Sequence, residues 1–152
     1  MASANSAIGF ESEPIIDYFK TGVKFKFKIL DLGIHAIFIP SFSWVKKTIL
    51  DKDRNSLLKH EQGHFDIVEE IVRKSTIKTT TLFRKKFFKV EGKNISIAKK
   101  NAIFQVTIIR KGIEDKLKKE LQSEETKYDI KTNHGLIAWQ QEKYNRRFKK
   151  LR

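Results

Sequence analysis

Cysteine is absent from this chain, proline occurs only twice, and no apolar run approaches the 18 residues a membrane-spanning helix needs. Without cysteine there is no disulfide and no thiolate ligand, so any metal must be held by histidine nitrogens and carboxylate oxygens. Acidic residues are the minority, 18 Asp and Glu against 32 Lys and Arg, which leaves a formal net charge of +14. Such an excess attracts polyanions: nucleic acid, anionic lipid or an acidic envelope polymer. The cations are scattered, as Lys46-Lys47, Arg84-Lys85-Lys86, Lys99-Lys100, Arg146-Arg147 and Lys149-Lys150, and form no single reading motif. A solvated basic surface is the plain reading of that scatter. Residues 1–7 carry neither a basic nor an apolar signal region, so no signal peptide is expected within the chain.

What the chain does have is enough apolar material for one domain: 152 residues, 39% hydrophobic, with 12 phenylalanines. The first 50 residues read as strands. Val23-Lys24-Phe25-Lys26-Phe27-Lys28-Ile29 alternates apolar and basic residues, the period of a half-buried antiparallel strand with a lysine face toward solvent. Asp31-Leu32-Gly33 signals a turn, and Ile34 to Ile39 reads as a more buried strand ended by Pro40. Ile8-Gly9-Phe10, leaving at Glu13-Pro14, adds a further strand. His35 has no metal-binding spacing to the other histidines.

Ser43-Trp44-Val45 leads away from the sheet, and Asp51 or Asp53 offers a cap for a helix starting near Arg54. That helix carries Leu57, His60, His64, Ile67, Val68 and Ile71 along one stripe, and within it lies His60-Glu61-Gln62-Gly63-His64, an H-E-x-x-H pattern. Residues four apart on a helix are offset by about 40° and about 6 Å, so two imidazoles can reach one ion at about 2.0–2.1 Å each. Glu61, beside them, can take a proton from a water the metal activates. The plain alternative is a chance pattern on a polar helix face. Gly63 costs about 1 kcal/mol against alanine in a helix interior, which points to close approach of the sheet or a substrate backbone.

Thr79-Thr80-Thr81 weakens the helix, which is expected to end, bend or resume before Phe87-Phe88. After a break at residues 90–94, Ile95 to about Glu124 is helical again, with Ile97, Ile103, Phe104, Ile108, Leu117 and Leu121 as its apolar positions and Gly112 as a dividing point. Residues 126–135 read as a loop, and a basic helix through Trp139, Tyr144 and Phe148 closes the chain. Two histidines leave a catalytic zinc site one protein ligand short. Asp66, Glu69 and Glu70 fall roughly 200°, 140° and 240° around the helix from His64, so none shares its face. The third ligand must come from farther along, with His134 before Gly135 as first choice and Asp129 as alternative ligand or as acceptor for a histidine N–H. An ordinary loop or cap role for His134 stays open.

His60 to Asp66 (HEQGHFD), preceded by Ser43-Trp44-Val45 and followed by Tyr128-Asp129-x-x-Thr132-x-His134-Gly135, resembles the bacterial family of predicted secreted zinc-dependent proteases, long catalogued as a domain of unknown function. The resemblance runs over most of the chain. It implies a zincin-like arrangement with His60, His64 and His134 as zinc ligands and Glu61 as general base, and a secreted or cell-envelope location.

The expectation is therefore an α+β chain, a single domain over 1–152 with a small antiparallel sheet in 1–50 and mainly helices in 51–152. Its expected function is that of a zinc metallopeptidase acting on protein or peptide substrates. Glu61 serves as base, Tyr128 is offered as a hydrogen-bond donor to the reaction, and the strand from Ile34 to Ile39 as an edge for an extended substrate. Two alternatives remain: a zinc-binding module without peptidase activity, and a basic module for nucleic acid or anionic surfaces using aromatics such as Trp139 and Phe148.

Overall fold

The computed structural model describes residues 4–5, 8–21, 24–45 and 51–152. Val23 and Lys46-Lys47 lie outside them, as do the side chains of Asp51 and Asp53 on which the helix cap was expected. The architecture is α+β: short antiparallel ladders followed by three helices. Strands β1 (Ala4–Asn5) and β6 (Trp44–Val45) pair, as do β2 (Ile8–Ser12) and β5 (Ile34–Phe38). A three-stranded sheet has the order β3 (Ile15–Thr21), β4 (Lys24–Asp31), β7 (Phe88–Val90). The helices are α1 (Asp51–Arg84), α2 (Ile95–Thr132) and α3 (Ala138–Phe148). No helix is long and apolar enough to cross a membrane among the described residues.

The chain divides into two compact units, the first of residues 1–10, 36–72 and 118–152, the second of 11–35 and 73–117. Both long helices contribute to each. In the second unit, the alternation in β4 works as read: Phe25, Phe27 and Ile29 are buried, with Val90 of β7 facing Phe25 and Phe88 stacked on Phe27 at 5.0 Å. The turn at Asp31–Gly33 forms, the Asp31 carboxylate accepting from Gly33 N–H at 2.9 Å. Strand β5 is less buried than expected: Ile34 is inside, whereas Phe38 is exposed.

Three expectations about the helices and the sheet are refined or corrected. Helix α1 ends at Arg84, before Phe87-Phe88 as read, but the threonine run does not interrupt it, and Thr79 and Thr81 turn their hydroxyls back to the carbonyls of Ser75 and Ile77. Phe88 then starts a strand, so the sheet is not confined to the first 50 residues. The third correction concerns α2, which starts at Ile95 as read, its first turn capped by the Asn94 side chain accepting from Ile97 N–H at 3.0 Å. Its buried stripe in the second unit is Ala98, Ala102 and Val106, while Ile97, Ile103, Phe104 and Ile108 are exposed. Small residues win that face because the backbone approaches closely: a Cβ on Gly92 would sit 2.5 Å from Ala98 N. Finally, α2 does not divide at Gly112 or stop near Glu124, but continues to Thr132 through the stretch that reads as a loop.

Candidate metal centre

Within the first unit, α1 from 51 to 72, α2 from 118 to 132 and α3 supply every residue of the candidate site. The stripe on α1 is buried as its period demands, with His60, Ile67, Val68 and Ile71 inside and His64 half-buried. Because α2 remains helical to Thr132, Glu125, Tyr128, Asp129 and Thr132 fall at i, i+3, i+4 and i+7 on one face. That face meets the histidines.

The Asp129 Oδ1 atom lies 3.1 Å from His60 Nε2 and 3.1 Å from His64 Nε2, and the two Nε2 atoms are 3.3 Å apart. Three atoms each bound at about 2.0–2.1 Å to one tetrahedral ion would stand about 3.3 Å from one another. His60, His64 and Asp129 are the group among the described residues whose ligand atoms cluster tightly enough to hold a metal.

The far sides of the rings decide what these atoms can do. Gln141 Oε1 lies 3.4 Å from His60 Nδ1, and Thr132 Oγ1 lies 3.5 Å from it. Thr132 spends its own proton on the Tyr128 carbonyl at 2.8 Å, so toward His60 it can only accept. The Glu125 carboxylate lies 3.6 Å from His64 Nδ1. Acceptors on both Nδ1 atoms assign the protons there and leave both Nε2 lone pairs facing Asp129. In that tautomer two lone pairs and a carboxylate oxygen converge, and Asp129 Oδ1 is buried without a hydrogen-bond partner. The residues present fit a divalent cation.

Electrostatics separates the two rings. Burial, followed by the neighbouring His64, holds His60 below the usual imidazole range, against the opposing pull of Gln141, Asp129 and Glu61. Burial also pulls His64 down, but its hydrogen bond to Glu125 and the charges of Asp129, Glu125 and Glu61 outweigh it and leave the group raised.

Tyr128 is 0% exposed and sits behind His60, rings stacked at 4.7 Å. Its hydroxyl donates to the His60 carbonyl at 3.1 Å and accepts from Gln141 Nε2 at 2.7 Å. Burial, above all, raises its pKa. The sequence-based expectation that this hydroxyl assists the reaction is therefore corrected: it is enclosed and committed to holding His60 and Gln141. Gly63 explains the close approach, since a Cβ there would overlap the Tyr128 hydroxyl and lie 2.5 Å from Cζ. What approaches is a side chain of α2, neither the sheet nor a substrate.

His134 lies at the edge of the cluster, its side chain 73% exposed, with Nδ1 3.7 Å from Asp129 Oδ1. The residue whose ligand atom clusters with the two histidines is Asp129, the alternative the sequence offers after His134. Asn133, His134 and Gly135 all have positive φ, at 47°, 54° and 83°. Gly135 is needed there twice over, since a Cβ would also stand 2.9 Å from His60 Cβ. Glu61 is half-buried beside the rings. Asp66 is turned to Arg152 and Gln62, and Glu70 to Arg147 at 2.5 Å, so neither joins the cluster, in keeping with their helical angles. His35 is exposed on β5.

Glu125 and Gln141 went unsingled in the sequence. Glu125 is detectable as the residue four before Asp129 once that stretch is read as helix; Gln141 carries no signal without the fold. Comparison of the chain with protein-family models, with curated proteins and with solved structures finds no match to any of them. The likeness to the zinc-dependent proteases thus rests on the motifs alone.

Proposed function

We propose that this protein is a metal-dependent hydrolase, first of all a zinc metallopeptidase with a zincin-like site, and that His60, His64 and Asp129 hold the ion. The observation that carries the reading is the triangle of Nε2, Nε2 and Oδ1 at 3.1, 3.1 and 3.3 Å. Zinc suits two imidazoles and one carboxylate, leaving a position for water or substrate. When bound, such an ion lowers the pKa of a water and polarises a carbonyl. Glu61 takes the proton of the attacking water and delivers it to the departing amine. Glu125, Gln141 and Thr132 hold the histidines in the tautomer that presents Nε2, and Tyr128 fixes the position of His60. His134, exposed at the rim, is placed to meet the substrate. The motif resemblance supports a secreted or cell-envelope location.

Glu61→Gln should retain one zinc per chain by elemental analysis and lose hydrolysis of a protein substrate by at least about a hundredfold. Undiminished turnover by a clean preparation would sink the mechanism. A zinc-binding module without peptidase activity is favoured by one feature, the 3.7 Å from His134 Nδ1 to Asp129 Oδ1, which a small ring movement turns into a closed four-ligand site. His134→Ala separates the two: the open site keeps its zinc, whereas the closed site binds it far more weakly.

A further inference from the structure

The unit that lacks the histidine cluster carries a surface of its own. Antiparallel partners share a face of the sheet, so the pairs Phe19↔Lys26, Asp17↔Lys28, Thr21↔Lys24 and Lys26↔Lys89 place four lysines and Phe19 on one side of β3–β4–β7. The other side is the buried one, with Phe25, Phe27, Ile29 and Val90. Phe87, just before β7, joins the open side: its ring meets the Phe19 ring at 5.3 Å and 73°, and the Lys28 ammonium stands 5.4 Å from its centroid. Phe19 is 36% exposed and Phe87 52%. Folding gives no reason to leave two phenylalanines among lysines in water.

We propose that this open sheet face binds single-stranded nucleic acid, with phosphates on Lys24, Lys26, Lys28 and Lys89 and bases stacked on Phe19 and Phe87. Lysines two apart on a strand recur at about 6.6 Å. A single strand drawn out along β4 with its bases splayed can set successive phosphates against this row. The rings stand beside the cations, each offering an aromatic surface next to a charge, which is the arrangement that receives base and phosphate of one nucleotide. A bilayer would instead require apolar residues gathered to enter it and cations at their rim. Asp17 is the acid at the paired positions of this face, and the four lysines outnumber it. The reading is independent of the metal centre. Of the aromatics first considered for such a role, Phe148 is fully buried, whereas Trp139 is exposed.

The test is titration of the full chain with a labelled oligothymidine of about 12 nucleotides across a range of salt. Replacing Lys24, Lys26 and Lys28 together by Gln should weaken binding at least about tenfold and flatten the slope of log K against log salt by about 2. The same charge removed at the exposed Lys111, Lys118 and Lys119 should change affinity by less than about threefold. Phe19→Ala should cost about tenfold with the salt slope unchanged, and Phe19→Trp should restore it. Phe87→Ala, expected to behave alike, serves if Phe19→Ala does not fold by circular dichroism. Equal losses in the two lysine triples would overturn the proposal, because binding would then be diffuse charge attraction. So would indifference to both phenylalanines, or binding of phosphatidylserine vesicles or polyglutamate in place of the oligonucleotide.

Discussion

In the unit built on β3, β4 and β7, the interior is Phe25, Phe27, Ile29, Val90, Ala98, Ala102 and Val106, and Thr79 is its buried polar residue. In the unit built on the motif helix, His60, Thr132 and Gln141 are buried together with Tyr128 and partner one another in one network, while buried Asp66 pairs with Arg152. The first interior is held by transfer of apolar surface from water, which depends on volume and is indifferent to hydrogen-bond geometry. The second also buries Ile67, Val68, Ile71, Leu121 and Phe148, but adds buried polar groups, which contribute little net stability when satisfied and are costly to leave unmade. What it gains is position: every proton around the two imidazoles has an assigned place. The contrast predicts that the units respond to different perturbations.

The largest effect is expected in the apolar unit. Phe27 is fully buried and stacked on Phe88, so Phe27→Ala should cost about 3–5 kcal/mol in denaturant unfolding. Added zinc should not protect the sheet of that variant from hydrogen exchange. Protection restored throughout β4 by zinc would mean that the two units do not respond separately.

Metal acts on the other side of the comparison. Zinc at about a hundred times its dissociation constant should stabilise the folded protein by about 2.7 kcal/mol. Hydrogen exchange should slow in residues 54–72 and 118–148, and a chelator should reverse it. His60→Ala and Asp129→Ala should abolish the effect. An unchanged exchange pattern in the helices, with the metal bound, would remove the cluster as the site.

The sequence made the motif helix, strand β4 and the start of α2 legible, because each has a strong period or a clear break before it: the histidine stripe, the Phe-Lys alternation, and residues 90–94. It hid the end of α2. Thr126, Tyr128, Ile130 and Thr132 are poor helix formers that alternate with polar residues, and taken locally they look like a loop. In the fold, Tyr128 and Thr132 are completely buried, and Thr126 and Thr132 bond back to carbonyls four residues earlier, so packing overrides propensity. That one local misreading also ranked His134 above Asp129, since only a helix brings Asp129 into line with Glu125 and Tyr128. Strand β7 was invisible for another reason: three residues are too few to show a period.

Two glycines, one in each unit, provide the finest test. Gly63 and Gly112 both lie inside long helices, where glycine costs about 1 kcal/mol relative to alanine, and a propensity argument treats them alike. Their surroundings differ. A Cβ on Gly112 meets nothing within 4 Å, whereas one on Gly63 runs into the ring and hydroxyl of Tyr128. Gly112→Ala should therefore stabilise by about 0.5–1 kcal/mol and leave zinc binding untouched. Gly63→Ala gains the same propensity but must push aside a buried tyrosine bonded to the His60 carbonyl, and overpacking of that kind costs about 1–3 kcal/mol. The displaced ring carries His60 with it, so zinc affinity should fall along with stability, although the substituted residue is no ligand. Both are read from urea unfolding and a zinc titration of each variant. If Gly63→Ala proved as harmless as Gly112→Ala, Tyr128 would not be what fixes His60, and the contrast between a core that fills space and a core that positions a site would lose its best support.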